Sequence, residues 1–354
     1  MGDAALSQGR ALYSYLTGQY DNLGDAILRR GMMAQLGPVG SWHVYLGGAP
    51  SDYVASLELP GGTTIYRSFV VWFLAACIGM MRFRRSAFVS NPGEISSTRI
   101  EFLWGVVGSV LMAIGMIFQN PGYRLGIGAR DKSRPLSLGH ETATRLAART
   151  VWRDATSSEL FGRGDIAPDW AFALSGRPPG NDRRFIALIY RSDKPLPSLE
   201  ILQAVGGWAA ERGKELLVVT QVSRDYHANC RLAKQLNVPH IGREGANLIQ
   251  MEHLVRATYA ETSIVLGNRI HGLILGAVDG AVPAVILGHP DLKVRRTLRA
   301  AGLHLFAAAP ISTPESVVAY LDGLEGGRLE SVKAVKAAGE RLRQLSCSIR
   351  DELV

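Results

Sequence analysis

The clearest pattern of apolar and polar positions lies in the second half of the chain. Short apolar runs alternate there with longer stretches in which apolar residues recur every three or four positions. These patterns predict strands at 185–190, 215–220, 263–267 and 283–288, and helices at 199–212, 226–236 and 247–259. Strands that alternate with helices in this way are typical of a parallel sheet covered by helices. The second half is therefore expected to form an α/β domain.

The first half carries the same alternation, beginning with a predicted strand at 12–17 and a helix at 26–36. It closes at 175–182, a segment rich in Gly, Pro and Asn, which interrupt regular structure. We place a domain boundary there, with one domain at 1–177 and the other at 178–354. A length of 354 residues suits two domains. We predict two Rossmann-like parallel-sheet α/β domains that face a cleft, a glycosyltransferase-B-like architecture.

Two strongly apolar stretches, 69–81 and 102–118, stand out in the first half. Each is shorter than the roughly 20 residues that a membrane-spanning helix needs. We predict that the second forms a helix buried against the sheet. The alternative is a partly exposed apolar face that docks on a membrane, because Arg-Phe-Arg-Arg at 82–85 adjoins the first stretch. That alternative predicts peripheral contact with the inner face of the cell membrane.

The candidate site lies at 263–276, where an apolar run ends at Gly267 and an apolar helix pattern begins directly after Arg269 and His271. Ligands of parallel sheets bind at the carboxyl ends of strands, and the amides of a helix start favour an anion. Arginine binds carboxylate or phosphate, and histidine exchanges a proton near neutral pH. The pattern indicates a site for a small acidic substrate whose reaction needs a proton. A structural arginine and a locally bonded histidine are equally compatible with it.

A second glycine-bearing loop, 18–25, lies between the first predicted strand and the first predicted helix. Backbone amides in such a loop can form a second anion-binding site. The alternative is that Asp25 caps the following helix.

Charge and cysteine content limit the classes of partner, the metal binding and the cellular location that we expect. Lys and Arg outnumber Asp and Glu by 39 to 31, a net charge of +8, which favours acidic partners such as phosphorylated molecules or an anionic membrane. The sequence has no long basic run with interleaved aromatic residues, so we predict no nucleic-acid partner. Three widely separated cysteines offer no disulfide framework and no metal-ligand spacing. We therefore expect no bound metal and a cytoplasmic location.

Several short motifs occur in order along the chain. They are Asn22-Leu23-Gly24-Asp25, Arg153-Asp154-x-x-Ser157, Asp169-Trp170-Ala171-Phe172, Asn268-Arg269-Ile270-His271-Gly272, and Lys293 after the strand entry Val282-Pro283. Together they resemble the polysaccharide pyruvyl transferase family over most of the chain. One segment departs from that family, which often has a glycine triplet where this chain has Ser90-Asn91-Pro92-Gly93-Glu94.

The resemblance implies an enzyme of exopolysaccharide biosynthesis at the cell envelope. Such an enzyme transfers pyruvate from phosphoenolpyruvate, its donor substrate, to two hydroxyls of a glycan or lipid-linked sugar, forming a cyclic ketal and releasing phosphate. It needs no cofactor. His271 would be the general acid, and either Asp25 or Asp154 the base.

The same resemblance implies residues that bind the substrates. The side chains implied to hold the donor's carboxylate and phosphate are Arg153, Asn268, Arg269 and Lys293. Asn22 and Gly24 would bind the acceptor or form a loop of the site, and the domain at 1–177 would be the acceptor side. Because Arg153 and Arg269 lie on opposite sides of the predicted boundary, the two domains would share one donor.

Two other functions stay open. A nucleotide-sugar-dependent glycosyltransferase of the same architecture would also place a positive group at this helix start. It would more often show a late acidic residue for the ribose, for which Glu261, Asp279 and Asp291 are the candidates. A non-catalytic scaffold in polysaccharide assembly would not need Arg269 and His271, and both are present.

Overall fold

The computed structural model describes residues 10–37, 39–177, 182–287, 292–304 and 311–353. These residues form two compact units, each built on its own parallel sheet. The described residues of the first unit fall within Met1–Gly18, Leu28–Trp170 and Arg341–Val354, and those of the second within Gln19–Ile27 and Ala171–Glu340.

These units differ from the predicted domains in three places. The boundary falls at Trp170, before the breaker-rich segment, whose residues 178–181 lie outside the described ranges. The loop at Gln19–Ile27 groups with the second unit, and the chain from Arg341 onward groups with the first. A boundary inferred from composition assigns contiguous segments, so it cannot foresee that two short stretches pack elsewhere.

Each of these two segments makes a contact within the unit to which it belongs. In the second unit, Asn22 forms an isolated antiparallel bridge with Val222. In the first unit, the Tyr123 hydroxyl donates to Glu352 at 3.0 Å.

The first unit has an eight-stranded sheet in which every pairing is parallel. Its strands are β1 (Arg10–Tyr15), β2 (Gly40–Tyr45), β3 (Thr64–Tyr66), β4 (Ser86–Val89), β5 (Gly93–Ile95), β6 (Gly122–Ala129), β7 (Arg149–Trp152) and β8 (Asp165–Ile166). The order is β3-β2-β1-β4-β6-β7-β8, with β5 also paired to β6. The helices between these strands are α1 (Leu23–Leu36), α2 (Ser51–Ser56), α3 (Phe69–Met80), α4 (Arg99–Ile117), α5 (Leu138–Leu146) and α6 (Ala155–Phe161).

The second unit has a five-stranded parallel sheet of order β11-β10-β9-β12-β13. Its strands are β9 (Phe185–Ile189), β10 (Glu215–Val219), β11 (His240–Ile241), β12 (Thr262–Gly267) and β13 (Val282–Ala284). Its helices are α7 (Leu199–Glu211), α8 (Tyr226–Leu236), α9 (Leu248–Ala260), α10 (Ile270–Val278), α11 (Leu292–Ala300), α12 (Pro314–Leu324) and α13 (Arg328–Leu353), the last of which continues into the first unit. The predicted class of two Rossmann-like parallel-sheet units is confirmed.

The helix α4 corrects one expectation. Its glycines do allow close packing, since a Cβ built on Gly105 would lie 2.6 Å from the Gly139 carbonyl carbon, and one on Gly115 2.4 Å from the Asn120 oxygen. Only this face is buried, however, and Leu103 and Ile117 on the outside are 60% and 74% exposed. Among the described helices, α4 alone has the length and composition to cross a membrane, and 28% of its apolar window is buried.

Candidate functional site

The β12–α10 loop lies at the topological switch point of the second sheet. β9 and β12 are neighbours in the sheet, and the chain then leads from β9 to β10 on one side and from β12 to β13 on the other. Loops that diverge in this way leave a crevice at the carboxyl edge, where ligands of such sheets bind. Asn268 and Arg269 form the loop, and His271 stands in the first turn of α10.

Two glycines bring this loop close to β9. A Cβ built on Gly267 would lie 1.8 Å from the Ile189 carbonyl oxygen, and one on Gly272 would lie 2.3 Å from Ile189 Cδ1. The Ile189 carbonyl is backbone, so packing requires glycine at position 267. At position 272 an added side chain would instead have to displace the end of the Ile189 side chain.

Arg269 is held by a buried carboxylate. Its Nε donates to Asp225 Oδ2 at 2.6 Å, and its Nη2 lies 2.5 Å from the same oxygen. Asp225 is 1% exposed and also accepts from the backbone N–H and the hydroxyl of Ser192, at 2.9 and 2.7 Å. Burial lowers the pKa of the Arg269 guanidinium, and the charge of Asp225 opposes that effect. The guanidinium is fixed in orientation at the carboxyl edge of the sheet.

Two buried amides beside this loop are not satisfied by the described residues. Gln221, two residues after β10, is 2% exposed, and neither its amide nitrogen nor its amide oxygen has a partner there. Its Oε1 faces the start of α10, since it lies 2.9 Å from a Cβ built on Gly272. The Oδ1 of Asn268 accepts from the Arg191 N–H at 2.8 Å, whereas its Nδ2 has no such partner. Buried polar groups without partners cost free energy, so they mark places where a ligand or water binds.

The loop at Gln19–Ile27 packs on His271. A Cβ built on Gly24 would lie 2.3 Å from His271 Nδ1 and 2.8 Å from its Cβ, so only glycine fits at this position. The sequence-predicted loop residue and the sequence-predicted proton donor are therefore in direct contact within the second unit.

Asp25 organises this loop. Its Oδ2 accepts from the Gln19 N–H at 2.9 Å, and its Oδ1 accepts from Asn22 Nδ2 at 3.0 Å. Asn22 Oδ1 accepts in turn from the Gly24 N–H at 3.0 Å. Arg224, in the turn before α8, donates from Nε to Asp21 Oδ2 at 2.9 Å and so attaches the loop to the segment between β10 and α8.

Lys293 stands in the first turn of α11, which packs against α10. It follows a stretch that lies outside the described residues, 288–291. Its implied contact with the donor phosphate stays a prediction.

The other predicted residues, Arg153 and Asp154, belong to the first unit. Arg153 is 2% exposed and lies 3.5 Å from a carboxylate oxygen of Glu94 and 3.6 Å from one of Asp169. Asp154 caps α6 by accepting from the Ser157 N–H at 2.8 Å and from its hydroxyl at 2.9 Å. The Arg-Asp-x-x-Ser motif thus builds a buried ion pair and a helix cap. That Arg153 and Arg269 bind the same donor molecule stays a prediction.

Sequence reasoning missed Gln221 and Asp225. Both follow the apolar run of β10, as Asn268 and Arg269 follow β12. A comparison of the polar residues after each predicted strand could have found them, because carboxyl ends of parallel strands share one edge of the sheet. Within the described ranges, no three His, Cys, Asp or Glu side chains lie together as ligands of a metal.

The sequence matches no family model and no curated protein. Solved structures do resemble the chain over nearly its whole length. A protein from Listeria monocytogenes aligns with a TM-score of 0.62 and 11% identity, covering 97% of this chain and 96% of its own. That protein has been assigned as a UDP-N-acetylglucosamine 2-epimerase, without a demonstrated activity. Anabaena HepE in complex with UDP aligns with a TM-score of 0.59 and 12% identity, covering 97% and 99%.

A glycosyltransferase of kitacinnamycin aligns with a TM-score of 0.51 and 11% identity, covering 98% of this chain and all of its own, 100%. At these identities the likeness concerns the fold. The chain therefore has a glycosyltransferase-B-like fold with two parallel-sheet α/β units, and its candidate site lies at the switch point of the second sheet.

Proposed function

We propose that this chain is an enzyme of glycan assembly that binds a phosphorylated donor at the carboxyl edge of its second sheet. The observation that carries the proposal is the convergence of Arg269, His271 and the unsatisfied amide of Gln221 at the start of α10. Together they offer a fixed cation, a proton and hydrogen-bonding amides beside a helix amino terminus, which is the chemistry that phosphate needs.

The first donor class is a nucleotide sugar. Support comes from structures of the same fold that contain UDP, among them Anabaena HepE and the MnaA protein of S. aureus. In that reaction, Arg269 and the start of α10 would neutralise the diphosphate as it leaves the sugar. His271 would exchange a proton with the reacting sugar.

The second donor class is phosphoenolpyruvate, which the motif resemblance implies. A specific observation favours it, because the carboxylates considered for a ribose are engaged or distant. Asp279 accepts from Arg256 at 2.6 Å and from the Arg177 N–H at 2.9 Å, and Glu261 precedes β12 at the opposite edge of the sheet. Asp291 lies outside the described residues. Phosphoenolpyruvate is smaller than a nucleotide sugar and has no ribose.

Pyruvyl transfer can be written with the residues at hand. His271 donates a proton to the methylene carbon of phosphoenolpyruvate, which becomes a methyl group, while the adjacent carbon gains oxocarbenium character. A sugar hydroxyl forms a bond to that carbon and loses its proton to a base, for which Asp25 is the candidate in the same unit. A second hydroxyl then displaces phosphate and closes the ketal, its proton leaving with the phosphate. Arg269 would hold the donor's negative charge throughout.

Donor binding tests the proposal and separates the two classes. Thermal unfolding of the chain would be followed with UDP, with UDP-sugars and with phosphoenolpyruvate, and each ligand would be repeated with Arg269→Ala. A ligand at about 100 times its Kd stabilises the folded state by about 2.7 kcal/mol, a shift that is easily measured. A shift with UDP that Arg269→Ala removes supports the nucleotide sugar, and the same result with phosphoenolpyruvate supports pyruvyl transfer. No shift with any of them contradicts the proposal.

Phosphate release would then distinguish turnover from binding. The chain would be incubated with phosphoenolpyruvate and a panel of free and lipid-linked glycans, and separately with UDP-sugars and the same panel. Release of inorganic phosphate that requires a glycan identifies pyruvyl transfer, whereas release of UDP identifies glycosyl transfer.

A further inference from the structure

The outer surface of α3 and α4 in the first unit is apolar. The described residues expose 21 large apolar side chains. Twelve of them lie on α3 and α4 or at positions 81 and 83, just after α3. We call this set the apolar face: Val70, Val71, Leu74, Ile78, Met81, Phe83, Ile100, Leu103, Val106, Val110, Met116 and Ile117. Exposed apolar residues are common singly, but a cluster of this extent marks an interaction surface.

The two helices lie side by side, so their exposed residues form one surface. The rings of Phe69 on α3 and Trp104 on α4 meet edge to face with centroids 5.7 Å apart. Each helix also has a buried side, and on α3 it includes Trp72, Ala76 and Met80. The helices thus have apolar residues on both sides, although only one side is needed to cover the sheet.

Basic residues border the apolar face at both ends of α4. Arg99 begins the helix, and Arg84 donates from Nε to Gln119, just beyond its end, at 2.6 Å. Arg82 and Arg85 are exposed beside Arg84. A helix of 19 residues is about 28 Å long, so the two groups of arginines stand at opposite ends of this surface.

Acidic residues are almost absent from this part of the chain. Between residues 59 and 130, the only ones are Glu94 and Glu101. Glu94 pairs with Arg130 at 2.7 Å, and Glu101 lies 3.4 Å from His140. An apolar surface that is bordered by arginines and has only these two carboxylates in its part of the chain is complementary to an anionic lipid bilayer, in which apolar side chains enter the acyl region and arginines contact the headgroups.

We propose that the first unit docks on an anionic membrane through the apolar face, with α3 and α4 lying in the plane of the interface. The close packing of Gly105 and Gly115 against the unit favours this position for α4 over a span across the bilayer. This proposal does not depend on which donor the second unit binds.

Flotation of the full chain with vesicles tests the proposal. One set of vesicles contains phosphatidylcholine alone, and the other contains phosphatidylcholine mixed with phosphatidylglycerol. The apolar variant is Leu103→Asn with Val106→Asn, and its control is Leu329→Asn with Val332→Asn, an equally spaced exposed pair on α13. The charge variant is Arg82→Ser with Arg84→Ser, and its control is Lys333→Ser with Lys336→Ser, which removes the same net charge elsewhere.

The wild type is expected to float with the mixed vesicles and far less with phosphatidylcholine alone. The charge variant should bind the mixed vesicles about 25-fold more weakly, because each of the two basic residues contributes about a factor of five at an anionic surface. The apolar variant should bind about 10-fold more weakly or worse. Both controls should bind as the wild type does, and all variants should keep its circular dichroism spectrum and Tm.

Three results would overturn the proposal. One is absence of flotation by the wild type with the mixed vesicles. Another is equal weakening by the control variants, which would indicate general electrostatic attraction. The third is self-association without flotation, seen by light scattering and abolished by the Leu103/Val106 variant, which would show that a second copy of the chain covers the apolar face.

Discussion

Gly24 and His271 are in contact across 247 positions of sequence, and the contact leaves no room for a side chain on Gly24. This is the position where the Asn-x-Gly-Asp loop and the Arg-x-His-Gly segment meet. The glycine is required there by the imidazole, since residue 24 lies within α1 and has no unusual backbone angle to accommodate.

Gly24→Ala is therefore expected to displace His271. Overpacking of this kind costs about 1–3 kcal/mol in unfolding free energy, and a misplaced proton donor should lower kcat at least 10-fold. Gly207→Ala is the matched control, because Gly207 is a helical glycine of the same unit with nothing within 4 Å of an added Cβ. It should be neutral or stabilising. Normal turnover by Gly24→Ala would contradict the claim that this contact sets the position of His271.

His271→Gln is expected to abolish turnover while leaving donor binding and folding largely intact. If His271 is the proton donor, the loss in kcat should be on the order of 10²–10⁴-fold. Calorimetry would measure donor binding, and product release would measure turnover. His253→Gln, an exposed substitution on α9, is the control. A His271→Gln enzyme with near-normal kcat would exclude this role.

The Gln221→Met substitution tests whether the Gln221 amide binds the donor or stabilises the fold. Neither amide atom has a partner among the described residues, so replacement by an apolar side chain should leave stability unchanged or raise it by about 1 kcal/mol. Donor affinity should fall about 10-fold or more. Asn229→Leu should instead lower the stability and leave the donor affinity unchanged, since Asn229 Nδ2 donates to Val219 and Thr220 at 3.3 and 3.1 Å. Unchanged donor affinity in Gln221→Met would remove Gln221 from the site.

Arg153→Ala and Arg269→Ala should have different consequences. The first leaves Glu94 and Asp169 without Arg153 in the interior of the first unit, which commonly costs about 3–5 kcal/mol in unfolding free energy. The second should raise the donor Kd by about two to three decades. Chemical denaturation would measure the unfolding free energy of both variants, and calorimetry would measure their donor Kd. A stable Arg153→Ala protein with weakened donor binding would instead support the shared hold on one donor.

The stability of the first unit should depend on pH through Glu141. The Arg134 guanidinium, which donates to Glu141 at 2.8 Å, is the main cause that lowers the pKa of this carboxyl from 4.5 to about 2, and Ser137 adds a hydrogen bond. Because the folded state holds the proton more weakly than the unfolded state, the stabilisation is present above about pH 4.5 and is lost as pH falls toward 2.

The measurement is the difference in Tm between the wild type and Glu141→Gln at several pH values. The difference should be present at pH 7 and should vanish between pH 4.5 and 2. Glu159→Gln, an exposed change on α6, provides the comparison. A difference that stays constant over this pH range would contradict the argument.

Some features were predictable because they depend on local spacing. The runs that became β9, β10 and β12 and the helices between them agree with the sequence pattern within a few residues. The shortest elements, such as β8 and β11 with two residues each, gave no recognisable pattern. The exposed side of α4 was predicted only as the alternative to a buried helix, because an apolar residue looks the same in sequence whether it faces the sheet or the solvent.

The sequence alone determined the class of the fold and the place of Arg269 and His271 at a strand-to-helix turn, because hydrophobic periodicity and glycine positions are local properties of the chain. Only the tertiary structure decided which side chains surround them. It brought Gly24 against His271, placed Asp225 under Arg269, and kept Arg153 and Asp154 in internal contacts of the first unit. Those relationships depend on the order of strands in a sheet, which joins residues far apart in the chain and cannot be seen in the spacing of either partner.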